Sequence, residues 1–187
     1  MFEDERSKRV VLIAHCILNQ NAKIDRCAHY PGIMREVAQV CVDSGVGLLQ
    51  MPCPELLYLG LDRQVDAKVS RTIEFEDTRV AARMAEEGGQ RLCRELARGL
   101  VHQIEEYQKN GFEIVGVVGI NGSPTCGVET GWSNGREVTS PGIFVRILVE
   151  ECGRKGITLA TRGVKAAEPQ AAIAAVRELC GMATNRR

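Results

Sequence analysis

Four short, almost uninterrupted apolar runs constrain the fold of this chain more than any other feature: Val10 to Ala14, Val46 to Met51, Ile114 to Ile120 and Ile157 to Ala160. A strand with one solvated face alternates apolar and polar residues. A continuous run suits a strand covered on both faces, as in a parallel sheet flanked by helices. The intervening segments have helical periodicity. Pro31 to Asp43 spaces Ile33, Met34, Val37, Val40 and Cys41 along one stripe, with Pro31 near the first turn. Asp77 to Lys109 repeats Val80, Met84, Leu92, Leu96, Leu100 and Ile104 at intervals of four or multiples of four, and Gly88-Gly89 is the expected point of division into two helices. A third helix is expected to start with Ser140 as N-cap and Pro141 at its first position, and a fourth to follow Glu168-Pro169. Strand and helix alternate throughout, so the expected fold class is α/β, a Rossmann-like three-layer sandwich with a mostly parallel sheet. No repeat, low-complexity tract or linker divides the sequence, and residues 1–187 are read as a single domain.

Charge and composition narrow the partners. Lys+Arg and Asp+Glu each total 24, so no net field recruits nucleic acid or an anionic membrane. Aromatic residues make up 4%, too few for a series of base-stacking platforms. No stretch approaches the roughly 20 apolar residues of a membrane helix. Met1 to Arg9 is mostly charged and precedes only a short apolar run, unlike a secretory signal. The expectation is a cytoplasmic protein with no nucleic-acid and no membrane partner, in a compartment that keeps thiols reduced. Its eight cysteines are then ligands, reactive thiols or small buried apolar residues, not a disulfide framework.

Three of them fall in equivalent places. Cys16 follows the first strand by two residues, Cys53 follows the second by two, and Cys126 lies in the loop after the third. All three lie beyond carboxyl ends of strands, the edge on which open parallel sheets build ligand sites. Pro52 and Pro54 flank Cys53 and restrict its backbone, and Pro124 and Gly127 bracket Cys126 in a turn. Cys41, Cys93, Cys152 and Cys180 fall in or at the ends of expected helices, where a buried thiol is the default. Cys27 follows Cys16 in a long loop and is open to a role as a fourth ligand.

The spacing alone allows zinc or iron. The sequence has no Cys-x-x-Cys pair, the usual mark of a structural zinc site, and three thiolates from separate loops suit an iron–sulfur cluster at least as well. Two other readings compete. One is a nucleotide- or metabolite-binding module without a cluster, whose Gly116, Gly119 and Gly122 would cradle a phosphate. The other is a structural zinc or redox-sensing thiol protein.

The motifs His15-Cys16, Cys53-Pro54-Glu55 and Gly122-Ser123-Pro124-Thr125-Cys126-Gly127, in this order, resemble the thiouracil desulfurase family over roughly the first three quarters of the chain. Ile17 to Lys23 and Leu56 to Arg63 differ from the family's pattern, so the resemblance is to a divergent branch. It implies a desulfidase-like domain with a [4Fe-4S] cluster on Cys16, Cys53 and Cys126, and removal of sulfur from a small thiolated substrate. It also implies a catalytic carboxylate at Glu55 and a catalytic hydroxyl at Ser123. Glu55 would activate water or shuttle a proton, and Ser123 would donate a hydrogen bond to developing charge. His15, Asn19, Asn21, Tyr58, Arg63 and Trp132 are further residues near these motifs, with no independent signal.

Overall fold

The computed structural model describes residues 2–66 and 72–182. Its main sheet has four parallel strands, β1 (Arg9–Ala14), β2 (Gly47–Met51), β3 (Glu113–Ile120) and β6 (Thr161–Val164), in the order β2-β1-β3-β6. Helices α2 (Arg35–Asp43) and α7 (Pro169–Leu179) pack together, as do α5 (Glu87–Lys109) and α6 (Ile143–Arg154), so the sheet is flanked by helices in a Rossmann-like three-layer α/β sandwich. Val11, Leu12, Ile13 and Ala14 of β1 are wholly buried, as the continuous run requires of a central strand. Cys41, Cys93, Cys152 and Cys180 are buried in this core. Among the described residues no helix is long and apolar enough to cross a membrane.

The first three strands coincide with the expected runs to within a residue. The fourth does not. Ile157 to Ala160 is irregular, and pairing with β3 begins only at Thr161 against Val117. The cause lies in Gly116, whose φ of 151° and missing Cβ let the Ala160 carbonyl crowd against β3; an added Cβ would meet that oxygen at 2.5 Å. The chain reaches the ladder one step later, through the Val117 N–H bond to the Ala160 carbonyl.

Helix boundaries shift as well. The division in the long helical segment falls at Glu86, with ψ of 156°, giving α4 (Ile73–Ala85) and α5. Gly88 and Gly89 instead open α5, where their missing side chains admit Tyr58 and the Met84 backbone. The helix expected at Ser140 begins at Ile143 with Gly142 as N-cap, because its first N–H groups already bond to a neighbouring loop. A two-stranded hairpin, β4 (Gly131–Ser133) and β5 (Arg136–Val138), is absent from the sequence reading. Its signal was Asn134-Gly135, both with positive φ (53° and 74°), as a tight two-residue hairpin turn needs.

Candidate functional site

Each of the first three strands delivers its chain into one cavity of about 230 Å³ at the carboxyl edge of the sheet, lined by Cys16, Cys53, Glu55, Ser123 and Cys126 among others. Cys16 sits in α1 (His15–Leu18), a single turn immediately after β1, and its carbonyl accepts from the amide of buried Gln20 at 2.6 Å. Cys53 is the N-cap of α3 (Pro54–Leu59), with its sulfur 3.5 Å from the Leu56 N–H and Pro54 starting the helix. Cys126 is almost wholly buried in the loop after β3.

That loop bonds almost entirely to itself and its neighbours. Ile120 N–H donates to the Cys126 carbonyl, Asn121 to Val164, Gly122 to Thr130, Ser123 to Ile120 and Gly127 to Ser123. The Ser123 hydroxyl oxygen accepts from Thr125 N–H at 3.2 Å and from Cys126 N–H at 3.0 Å. The Pro124 and Thr125 carbonyls in turn accept the first N–H groups of α6, those of Ile143 and Phe144, both at 3.0 Å. Every non-proline N–H from Ile120 to Gly127 is therefore committed, and none is free to cradle a phosphate. Gly119 is small for packing: a Cβ there would strike the Cys126 carbonyl.

Burial dominates the electrostatics. It pushes the Cys16 thiol up to about 12, the Cys53 thiol up to about 11 and the Cys126 thiol well above its ordinary value. Negative charge on any one of the three also opposes ionisation of another, as Cys53 does to Cys16, and both do to Cys126. Without a ligand they are neutral thiols, unlike the low-pKa cysteines of redox sensors.

Glu55 and Arg63 form a buried pair, with Arg63 Nε 3.3 Å from Glu55 Oε2 and side chains 12% and 2% exposed. Arg63 also donates to the carbonyls of Ala22 (2.6 Å), Gly60 (2.8 Å) and Leu61 (3.0 Å), and its Nη2 lies 3.8 Å from Cys53 Sγ. It achieves this from a left-handed backbone, φ 57°, which is costly for a non-glycine residue. One side chain thus ties the segments carrying the first and second thiols to the candidate carboxylate. No sequence motif marked Arg63 for this, because the role depends on that backbone conformation.

The remaining candidates separate. Trp132 lines the cavity and its indole N–H donates to Thr78 Oγ1 at 2.9 Å. Cys27 also lines it, with its thiol pushed up to about 11 by burial. His15 keeps a buried Nε2 with no hydrogen-bond partner among the described residues. Asn19 and Asn21 bond to each other in a turn, and Tyr58 donates to Glu86; none of the three lines the cavity. Lys23 and Asp77, which the sequence did not single out, do line it.

Among the described residues no three His, Cys, Asp or Glu side chains are drawn together as ligands of a single metal ion. Four thiols line one cavity, those of Cys16, Cys53 and Cys126 at the strand ends and that of Cys27, and thiols are the ligand type of iron–sulfur clusters. The guanidinium beside Cys53 also suits the negative charge that thiolates bring when they bind. On this donor chemistry the residues fit such a group.

No model of a known protein family matches the chain, and no solved structure does. The sequence is 31% identical over 123 residues to the uncharacterized protein MJ0003 of Methanocaldococcus jannaschii, a match spanning 66% of this chain and 70% of that protein. The chain belongs to the same family as this archaeal protein.

Proposed function

We propose that this protein is a desulfidase that binds a [4Fe-4S] cluster through Cys16, Cys53 and Cys126 and removes sulfur from a small thiocarbonyl or thiol compound, as the thiouracil desulfurase family does. The observation that carries this reading is that three thiols, the Glu55 carboxylate and the Ser123 hydroxyl line one cavity at the carboxyl edge of the sheet. When bound, a cluster with three protein ligands supplies an open iron, a Lewis acid with affinity for sulfur.

The rest falls to the protein's own side chains. For a thiocarbonyl, the net reaction is R₂C=S + H₂O → R₂C=O + H₂S, with no electrons exchanged. Glu55 takes a proton from the attacking water as the new C–O bond forms. Arg63 holds one Glu55 oxygen, and the other has no bonding partner among the described residues. The oxygen of Ser123 already accepts two backbone N–H groups, so its O–H remains to donate to negative charge on the substrate. Trp132 and Ile120 add apolar surface to the cavity wall and help to exclude bulk water.

Iron and acid-labile sulfide assays on protein purified without oxygen test the cofactor. The expected result is about four irons per chain and broad visible absorption bleached by dithionite. Cys16→Ser, Cys53→Ser and Cys126→Ser should each lose most of that absorption, since serine oxygen is a harder ligand. Cys93→Ser and Cys152→Ser should keep it. Stoichiometric zinc, or colourless protein that cannot be reconstituted, would remove the cluster from the account. Loss of the cluster on Cys27→Ser with retention in one of the three ligand variants would revise the ligand set.

Ser123→Ala has two separable effects. Loss of the acceptor for the Thr125 and Cys126 N–H groups should lower cluster retention and cost about 1–3 kcal/mol of stability for the unsatisfied donors. In the fraction that keeps its iron, loss of the O–H donor should lower turnover by roughly 10²–10³-fold. Denaturant titration and iron-normalised turnover measure the two independently, and an unchanged iron-normalised rate would leave Ser123 with the structural role alone.

A further inference from the structure

We infer that Asp77 is the acid partner of Glu55, the carboxyl that gives its proton to the departing sulfur. This assignment deepens the desulfidase reading and rests on it. Asp77 lies in the second turn of α4 and lines the same cavity as Glu55, Ser123 and the three thiols, reaching it from a different helix. It is half-buried, and its carboxyl makes no hydrogen bond or ion pair with any described residue. Glu55, by contrast, is held by buried Arg63. Three carboxyls line the cavity: Glu137 is bonded by Thr130 and Lys165, Glu55 is held by a guanidinium, and Asp77 alone has no bonded partner among the described residues. Such a contrast divides a base from an acid.

The surroundings keep the proton on Asp77. Burial is the largest influence and raises it; Glu55 on α3 raises it further, as do Glu74 and Glu76 on its own helix, while Lys23 opposes them, and the balance leaves Asp77 titrating at about 7. Arg79 pairs with Glu76 at 2.8 Å and so is engaged elsewhere. Cys27 faces Asp77 from the loop after Lys23, and its thiol is neutral at this pH. Near pH 7 part of the Asp77 population still carries its proton and can donate it.

The proton inventory closes with both groups. Glu55 removes one proton from water as oxygen bonds to carbon, and the C=S π electrons move to sulfur. Asp77 protonates that sulfur. Collapse forms C=O from the oxygen lone pair and breaks the C–S bond, whose electron pair leaves with the sulfur as HS⁻. The hydroxyl proton returns to Asp77, and the proton on Glu55 leaves with HS⁻ as H₂S. Both carboxyls end as they began, and no oxidant or reductant is needed.

The test uses iron-matched wild type, Asp77→Asn and Asp77→Glu, with thiouracil and thiourea as probes. Asp77→Asn should keep its iron and visible spectrum, lose turnover by roughly 10²–10⁴-fold, and lose the decline in rate that the wild type shows as pH rises through about 7. Asp77→Glu should restore part of the rate and the declining limb. A second readout needs no turnover. A carboxyl raised in the folded state binds its proton more tightly there than in the unfolded chain, so its contribution to stability is present below about 4 and lost as pH rises to about 7. The thermal midpoint of Asp77→Asn should therefore gain on the wild type across that window and hold its lead above it. A wild-type rate and pH profile in Asp77→Asn overturns the assignment, and so does a midpoint difference that is flat with pH. If neither probe is desulfurised while the midpoint difference follows the expected course, the thiocarbonyl reading falls, and the donor role of Asp77 falls with it.

Discussion

Cluster-loaded Glu55→Gln is expected to keep its colour and lose turnover by roughly 10²–10⁴-fold, the range for removal of a general base. The substitution preserves shape and can still bond to Arg63 through its amide oxygen, so the cavity wall should persist. What disappears is the capacity to take a proton from water. The loss should lie in kcat with little change in KM, because the base acts in the transition state and contributes little to ground-state binding. Iron content must match the wild type before rates are compared, since a missing cluster would mimic a missing base. Full turnover in iron-matched Glu55→Gln would eliminate the proposed base whichever substrate is used.

Arg63→Met should lower the unfolding free energy by about 3–5 kcal/mol, the usual consequence of removing one member of a buried ion pair. The methionine fills much of the arginine's volume. It leaves Glu55 buried without its counter-charge and the Ala22 and Leu61 carbonyls without this donor, while the Gly60 carbonyl keeps the backbone N–H of residue 63. The effect should extend to the cofactor, because Arg63 bridges the segment after Cys16 to Cys53 and the Glu55 helix. Arg63→Lys keeps a charge but replaces the planar fork with a point donor, and should recover only part of either loss. Urea denaturation and iron retention measure the two effects. A cost below about 1 kcal/mol would place the pair with solvent-exposed ion pairs, which contribute little.

The parts of this protein that local chemistry determines were readable in its sequence. Continuous apolar runs located β1, β2 and β3, and their order with the helices led to the parallel sheet. Cysteines just beyond those strands converge on one cavity because parallel topology brings carboxyl ends together. The misplaced features are those set by contacts distant in sequence. β6 starts late because Gly116, over forty residues earlier, admits the Ala160 carbonyl. Helix α6 starts at Ile143 because carbonyls of the Cys126 loop cap it. Arg63 and Asp77 escaped for the same reason. The first works through its bond to the Ala22 carbonyl, 41 residues earlier, and the second enters the cavity only through the packing of α4. The Asn134-Gly135 turn is the exception, a local signal of the hairpin that two adjacent positive-φ residues form.

The self-bonded loop from Ile120 to Gly127 bears on how tightly this site can hold anything. Ordering a backbone residue on binding costs about 1–2 kcal/mol of conformational entropy. In this loop the N–H groups are already partnered and the carbonyls of Pro124 and Thr125 are joined to a twelve-residue helix, so that cost is met in folding, before any ligand arrives. For the proposed cluster Cys126 would be a fixed jaw, its grip owing little to induced ordering, and affinity would turn on how well the Cys16 and Cys53 thiols meet what it holds.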